Sequence, residues 1–262
     1  MGMEERDEKV LRLAARYRLV TRAAVQAAVM GGVDPTNVLK RLMAERRYLT
    51  SEGRKLPGNV SYYQLTEVGA QALREATKAR GLSCAVPIEA GAPPAAQELQ
   101  DRIATLWFST MGGAGKRRLL LESSEVQGLL GDEPPPGLHV IDAAGEWSIL
   151  YHVYVPAPTT QLDNLLRAAE AHLRAAQQHP TARDWVASKS YGLLILLHNE
   201  PKLEAVRRAC RKKGLSDAAR FQWALAPTPE TLKDFLHGHA APSRSAPRTA
   251  SQDASTSEGG GS

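Results

Sequence analysis

Val10, Leu11, Leu13, Ala14 and Tyr17 recur at helical spacing, which predicts a first helix over Glu5–Arg18. A second helix is expected over Arg22–Met30, capped by Thr21, burying Val25, Ala28 and Val29, and ended by Gly31-Gly32. Asp34-Pro35 is a start signal for a third, because Asp offers an N-cap oxygen and Pro needs no N–H acceptor in the first turn. On that helix Val38, Leu39, Leu42 and Met43 share an apolar face, and Thr36, Asn37, Lys40, Arg41 and small Ala44 share the other. Two β-rich runs follow, Tyr48–Thr50 and Val60–Leu65, joined by a basic loop that holds Gly53, Arg54, Lys55 and Gly58. Thr66 then caps a fourth helix, Glu67–Arg80, with Glu67 placed favourably in its first turn.

Pro87–Ala96 (PIEAGAPPAA) is too rich in Pro, Ala and Gly for a regular element and reads as a linker. Beyond it a helical pattern returns at Gln97–Ser109, and strand-like runs follow at Arg118–Leu121, Leu138–Ile141 and Ser148–Val155. The remainder predicts a long helix at Leu162–Gln178, an apolar strand at Gly192–His198, a basic helix at Lys202–Lys213, a strand at Phe221–Ala226 and a helix at Pro229–His237. The order α-β-β-β-α-β-α-β implies an α/β domain with a mixed sheet. The expected division is therefore an α+β N-terminal domain over 1–82, a linker over 83–96, an α/β domain over 97–239 and a polar, disordered tail over 240–262.

Charge separates the two domains. The chain carries a net +5, but residues 1–80 hold 15 Lys+Arg against 9 Asp+Glu, and residues 81–239 hold 16 against 17. The surplus sits on the first domain, which points to a polyanion as that domain's partner. The positions suited to base edges are Thr36, Asn37, Lys40 and Arg41, with Arg46, Arg47, Arg54 and Lys55 suited to phosphates.

The series helix, helix, helix, strand, wing, strand, helix over Glu5–Arg80 resembles the winged helix-turn-helix superfamily. The run YYQLTEVGAQAL (Tyr62–Leu73) looks like the wing-exit strand and following helix of many bacterial members. The resemblance implies that Asn37, Lys40 and Arg41 enter the major groove of double-stranded DNA and that the wing and flanking arginines hold the backbone. The second domain resembles the restriction-endonuclease-like core of PD-(D/E)xK nucleases. A winged helix followed by such a core resembles the replication-relaxation family of plasmid and mobile-element proteins.

That nuclease chemistry needs acidic Mg²⁺ ligands and a nearby lysine. Asp142 stands where the first acid belongs, and Glu146 precedes the third strand, but Leu150–Tyr154 reads LYHVY where an acid and a lysine are required. The expectation is a fold retained without its catalytic set: no enzyme, no metal and no cofactor. Gly112–Lys116 (GGAGK) lacks the first glycine of a phosphate loop, and Arg117 replaces the Ser or Thr that would bind Mg²⁺, so it reads as a turn. The histidines do not cluster at ligand spacing, and Cys84 and Cys210 have no C-x-x-C partner. There is no signal-like segment and no apolar run near 18 residues, so a cytoplasmic protein with no membrane partner is expected.

The function expected from the sequence is sequence-specific DNA binding in a bacterial plasmid or mobile element. The protein would regulate transcription or assist at a replication or transfer origin in conjugation. It would act as a homodimer joined through the second domain, with a relaxase or replication protein as a candidate partner. The alternatives are an Mg²⁺-dependent nuclease using Asp142 and Glu146, or a protein-interaction module that does not bind DNA.

Overall fold

The computed structural model describes residues 3–81, 87–111, 117–144, 147–215 and 220–239. It is a mixed α and β structure with two sheets, one antiparallel and one mixed.

The N-terminal lobe begins with α1 (Glu5–Tyr17), whose Val10, Leu11, Ala14, Ala15 and Tyr17 are buried. The helix stops where Arg18 turns left-handed (φ 61) and its N–H returns to the Ala15 carbonyl. After β1 (Val20–Thr21), the Thr21 hydroxyl accepts the Ala24 N–H at 3.2 Å and starts α2 (Arg22–Ala28). The Asp34 carboxylate then accepts both the N–H (2.9 Å) and the hydroxyl (2.7 Å) of Thr36. This nucleates α3 (Thr36–Lys40), which runs on into a π-helical turn at Arg41–Glu45. β4 (Val60–Leu65) is the spine of the first sheet, with β1, β2 (Leu49–Thr50) and β3 (Lys55–Leu56) all antiparallel to it. The Thr66 hydroxyl caps α4 (Glu67–Ala79) through the Gly69 N–H. Gly69 has no substitute, since a Cβ there would lie 2.1 Å from the Tyr48 carbonyl oxygen.

The second lobe opens with α5 (Ala96–Met111) and builds a five-stranded sheet in the order β5-β6-β7-β8-β9. β5 (Arg117–Leu121), β6 (Leu138–Ala144) and β7 (Trp147–Tyr154) pair antiparallel, and β7, β8 (Tyr191–Leu197) and β9 (Arg220–Leu225) pair parallel. Parallel neighbours need crossovers, and these are α7 (Leu162–Gln178) with α8 (Ala182–Ala187), then α9 (Glu200–Lys212). All of β8 is buried because both faces are covered. Tyr151, Val153, Leu194 and Leu196 face Ile103, Leu106 and Trp107 of α5. Leu193, Ile195 and Leu197 face α7 and α9, where Cys210 is one more small apolar side chain. The helix α6 (Ser123–Leu130), which has only Val126 and Leu130 to bury, completes that second layer, and α10 (Leu232–His239) ends the described chain.

The two lobes share one core. Tyr17, Leu19, Ala24, Leu56 and Tyr62 of the first lie in the same buried cluster as Ile103, Trp107, Leu120 and Leu232 of the second. Polar groups close the seam around it. Arg16 donates to both oxygens of Glu125 (2.8 and 3.1 Å) and to the Leu120 carbonyl (2.6 Å), and Arg102 donates to the Tyr17 carbonyl at 3.2 Å. Residues 87–95 form no helix or strand and are bound along β4. The Gly91 N–H donates to the Leu65 carbonyl (2.9 Å), the Gln64 amide to the Ala92 carbonyl (2.9 Å), and Ile88 is buried.

A row of imidazoles lies between the sheet and α7. His139 is 3.1 Å from the Tyr191 hydroxyl, its ring centroid is 5.1 Å from that of His152, and His152 is 4.4 Å from His172, which lies against Tyr154. Gly137 makes room for this row, since a Cβ there would meet His152 at 2.7 Å. Burial pushes His139 down to about 4 against the opposing pull of the Gly137 backbone bond. His152 is pushed well down by burial and by the neighbouring rings, and His172 is pushed down by burial.

Two outcomes follow from the seam and the imidazole row. Arg16→Ala strips Glu125 of its partner where both side chains are only 18% exposed, and should lower urea-unfolding stability by about 1–3 kcal/mol. Each histidine is depressed in the folded state, so its contribution is complete above its unfolded pKa and disappears as pH falls. Stability should therefore drop between about pH 6.5 and 4, on the order of 3 kcal/mol for His139 alone. In His152→Phe, urea midpoints measured across that range should fall less steeply than in the parent.

Candidate nucleic-acid interface

α3 is amphipathic as its sequence requires. Val38, Leu39 and Leu42 are buried, and Asn37, Lys40 and Ala44 are exposed. The π-helical turn closes with the Arg46 N–H on the Arg41 carbonyl (3.0 Å), and Arg47 then turns left-handed (φ 55) to lead into β2. Lys40, Arg46 and Arg47 make no ion pair among the described residues. The structure thus groups Asn37 and Lys40 on the outer face of α3, with two arginines just past its end. Exposed Glu45 is the one carboxylate interleaved with them.

Three of the sequence-selected residues are committed elsewhere. Thr36 is held by Asp34, whose carboxyl is kept below the usual range by the Thr36 hydroxyl and N–H and by Arg22. Arg41, expected in the groove, folds back onto α1, with Nη2 2.5 Å from Asp7 and 2.9 Å from Glu4. The physical reason is burial: the Asp7 side chain is 5% exposed, and Arg41 is the cation that neutralises it. Arg54, expected on a phosphate, instead donates to the Gln64 side chain (2.6 Å), the Glu52 carbonyl (2.7 Å) and the Gly91 carbonyl (3.2 Å). It ties the hairpin to the segment that follows α4.

Lys55 remains exposed on the hairpin and donates to Asn59 at 3.0 Å. One face of that hairpin is not free. Leu56 and Tyr62 enter the shared core, and the tip, where Gly58 is left-handed (φ 73), rests on the side chain of Lys233 from α10. No sequence signal marks Lys233, because only the tertiary packing brings α10 to the hairpin.

In the second lobe, Asp142 is buried and paired with Arg118 at 3.1 Å. The Arg118 guanidinium also sits 3.9 Å over the Phe108 ring and donates to the Phe108 carbonyl at 3.1 Å. Glu146 and Gly112–Lys116 lie outside the described residues, as do Cys84 and the tail over 240–262. Among the described residues no group of three or more His, Cys, Asp or Glu side chains could hold a metal ion, and no helix is long and apolar enough to cross a membrane. The basic residues of α9 lie across the sheet from α5 and the N-terminal lobe; Arg207 is paired with Glu204, and Lys213 just past the helix end with Glu170.

Arg41→Ala should therefore act first on folding. Asp7 loses its cation, and thermal unfolding should show a loss of about 1–3 kcal/mol. Much of that loss should be recovered in the double variant Asp7→Ala with Arg41→Ala. No protein-family model, curated protein or solved structure matches this chain.

Proposed function

We propose that this chain is a sequence-specific double-stranded DNA-binding protein. In this reading the N-terminal lobe is a winged helix-turn-helix, and the second lobe is a restriction-endonuclease-like core that does not cleave. The observation that carries it is the outer face of α3. Asn37 and Lys40 are exposed there, followed by Arg46 and Arg47 with no ion pair among the described residues, on the lobe that holds the chain's surplus positive charge. An exposed amide beside cations is the chemistry that reads a base edge and anchors on phosphate. Lys55 adds a cation from the hairpin.

The sheet order with β6 reversed supports the restriction-endonuclease-like reading of the second lobe. The Asp142–Arg118 pair argues against catalysis there. A carboxylate already neutralised by a buried guanidinium is a poor ligand for Mg²⁺. The biological setting we infer is a bacterial plasmid or mobile element. There the protein would regulate transcription or assist at an origin, in the cytoplasm, as a homodimer beside a relaxase or replication protein.

Selection of bound duplexes from a random pool, followed by polarisation titrations across salt, tests the proposal. Four cations, Lys40, Arg46, Arg47 and Lys55, predict a slope of log affinity against log salt of roughly −3 to −4. Asn37→Ala should narrow the gap between selected and random duplexes, and Lys40→Ala should weaken both. Selected sites should contain two-fold related half-sites if the protein pairs. An affinity that does not change with salt would remove DNA binding from the account.

A further inference from the structure

We propose that the seam between the lobes holds a binding site for a small organic anion with an apolar body. This site is separate from the α3 surface and does not depend on the DNA reading. A groove of about 350 Å³ opens where α1 and the end of α2 meet the end of α5 and the edge strand β5. That volume suits a small ligand, and junctions between packed units are common places for one.

The chemistry of the walls specifies the class of ligand. Leu13, Ala28, Val29 and Leu119 supply apolar surface. Leu119 is 40% exposed, one of few large apolar side chains left so open among the described residues. Among the described residues the charged groups in the wall are Lys9, Arg12, Arg16 and Arg118, with no carboxylate. Each of these cations has an acidic partner, but Glu5, Glu8, Glu125 and Asp142 all lie outside the lining.

Donors are left over on the groove side. Lys9 uses one ammonium contact, to Glu5, and is 59% exposed. Arg12 engages Glu8 and Thr77 through Nε and Nη2, and its Nη1 has no partner among the described residues. A carboxylate at Lys9 and Arg12, with its hydrocarbon against Leu13, Val29 and Leu119, satisfies both halves of the surface.

Position gives such a ligand leverage. Leu13, Arg16 and Val29 belong to the lobe that carries α3, and Leu119 and Arg118 belong to the other lobe. A bound molecule touches both lobes and adds its binding free energy to the folded, closed seam.

Calorimetric titration of the full-length chain with octanoate tests the site, with acetate and octanol as arms that each keep one half of the chemistry. Octanoate should bind with a dissociation constant on the order of 1 mM and raise the melting temperature. Acetate and octanol should each bind at least about tenfold more weakly. Lys9→Gln and Leu119→Gln change exposed side chains and should leave the unliganded melting temperature within a few degrees of the parent. Each should weaken octanoate about threefold to tenfold, and Lys212→Gln on α9 should not. Octanoate that fails to bind, or that binds both groove variants as tightly as the parent, overturns the site. So does octanol binding as well as octanoate, because the cations then play no part.

Discussion

Tyr17 is the side chain on which the two lobes turn. It ends α1 at the border of the N-terminal lobe, its ring lies in the cluster shared with α5 and β5, and its hydroxyl receives the Leu120 N–H at 3.5 Å. Burial pushes that hydroxyl's pKa up, so it stays a neutral donor and acceptor. Arg16 and Arg18 on either side of it reach Glu125 and Glu122 at the start of α6. One helix end thus serves three purposes. It closes the first core, covers the outer edge of β5 at Leu120, and sets α1 relative to the sheet. Because α3 is tied to α1 through Arg41 and Asp7, the outer face of α3 inherits its orientation from the second lobe.

The same logic explains why a basic N-terminal lobe presents so few free cations. Its acids are concentrated on α1, where Asp7 and Glu8 are buried. A buried carboxylate is costly unless paired, and the pairing consumes Arg41 on one side and Arg12 and Arg80 on the other. Arg54 is spent on the Gln64 side chain of β4 and on the carbonyls of Glu52 in the hairpin and Gly91 after α4. Around α3 and the hairpin, the cations that make no ion pair among the described residues are Lys40, Arg46, Arg47 and Lys55. Net charge singled out the N-terminal lobe. It did not distinguish cations that hold the fold together from cations that face outward.

That distinction marks the limit of what was legible in the sequence. Elements with a strong period, such as α7 at Leu162–Gln178 and β8 with its continuous apolar run, were read to within a residue, because packing on one face or both dictates them locally. The caps Thr21 and Thr66 were legible for the same reason. The short helices α6 and α8 were not, since each has only two buried side chains and no lasting period. The partners of Arg41, Arg54 and Arg118 were not legible either. Asp7, Gly91 and Asp142 lie far along the chain from these arginines, and sequence spacing carries no information about which carboxylate or carbonyl tertiary packing will bring near.

Asp142 shows the consequence for reading function. By position along its strand it resembled a metal-binding acid, and only the missing acid and lysine in Leu150–Tyr154 argued otherwise. β5 pairs with β6 in a register that sets Arg118 opposite Asp142, and Phe108 on α5 supplies a π-face beneath the guanidinium. Three elements thus converge to make a buried ion pair through Asp142 Oδ2 at a strand position where a nuclease would hold an open carboxylate. An isolated carboxylate there would need a cation to justify its burial, and this fold supplies that cation from its own edge strand. The pair leaves the second lobe with a structural reason to keep Asp142, and that reason requires no chemistry on DNA.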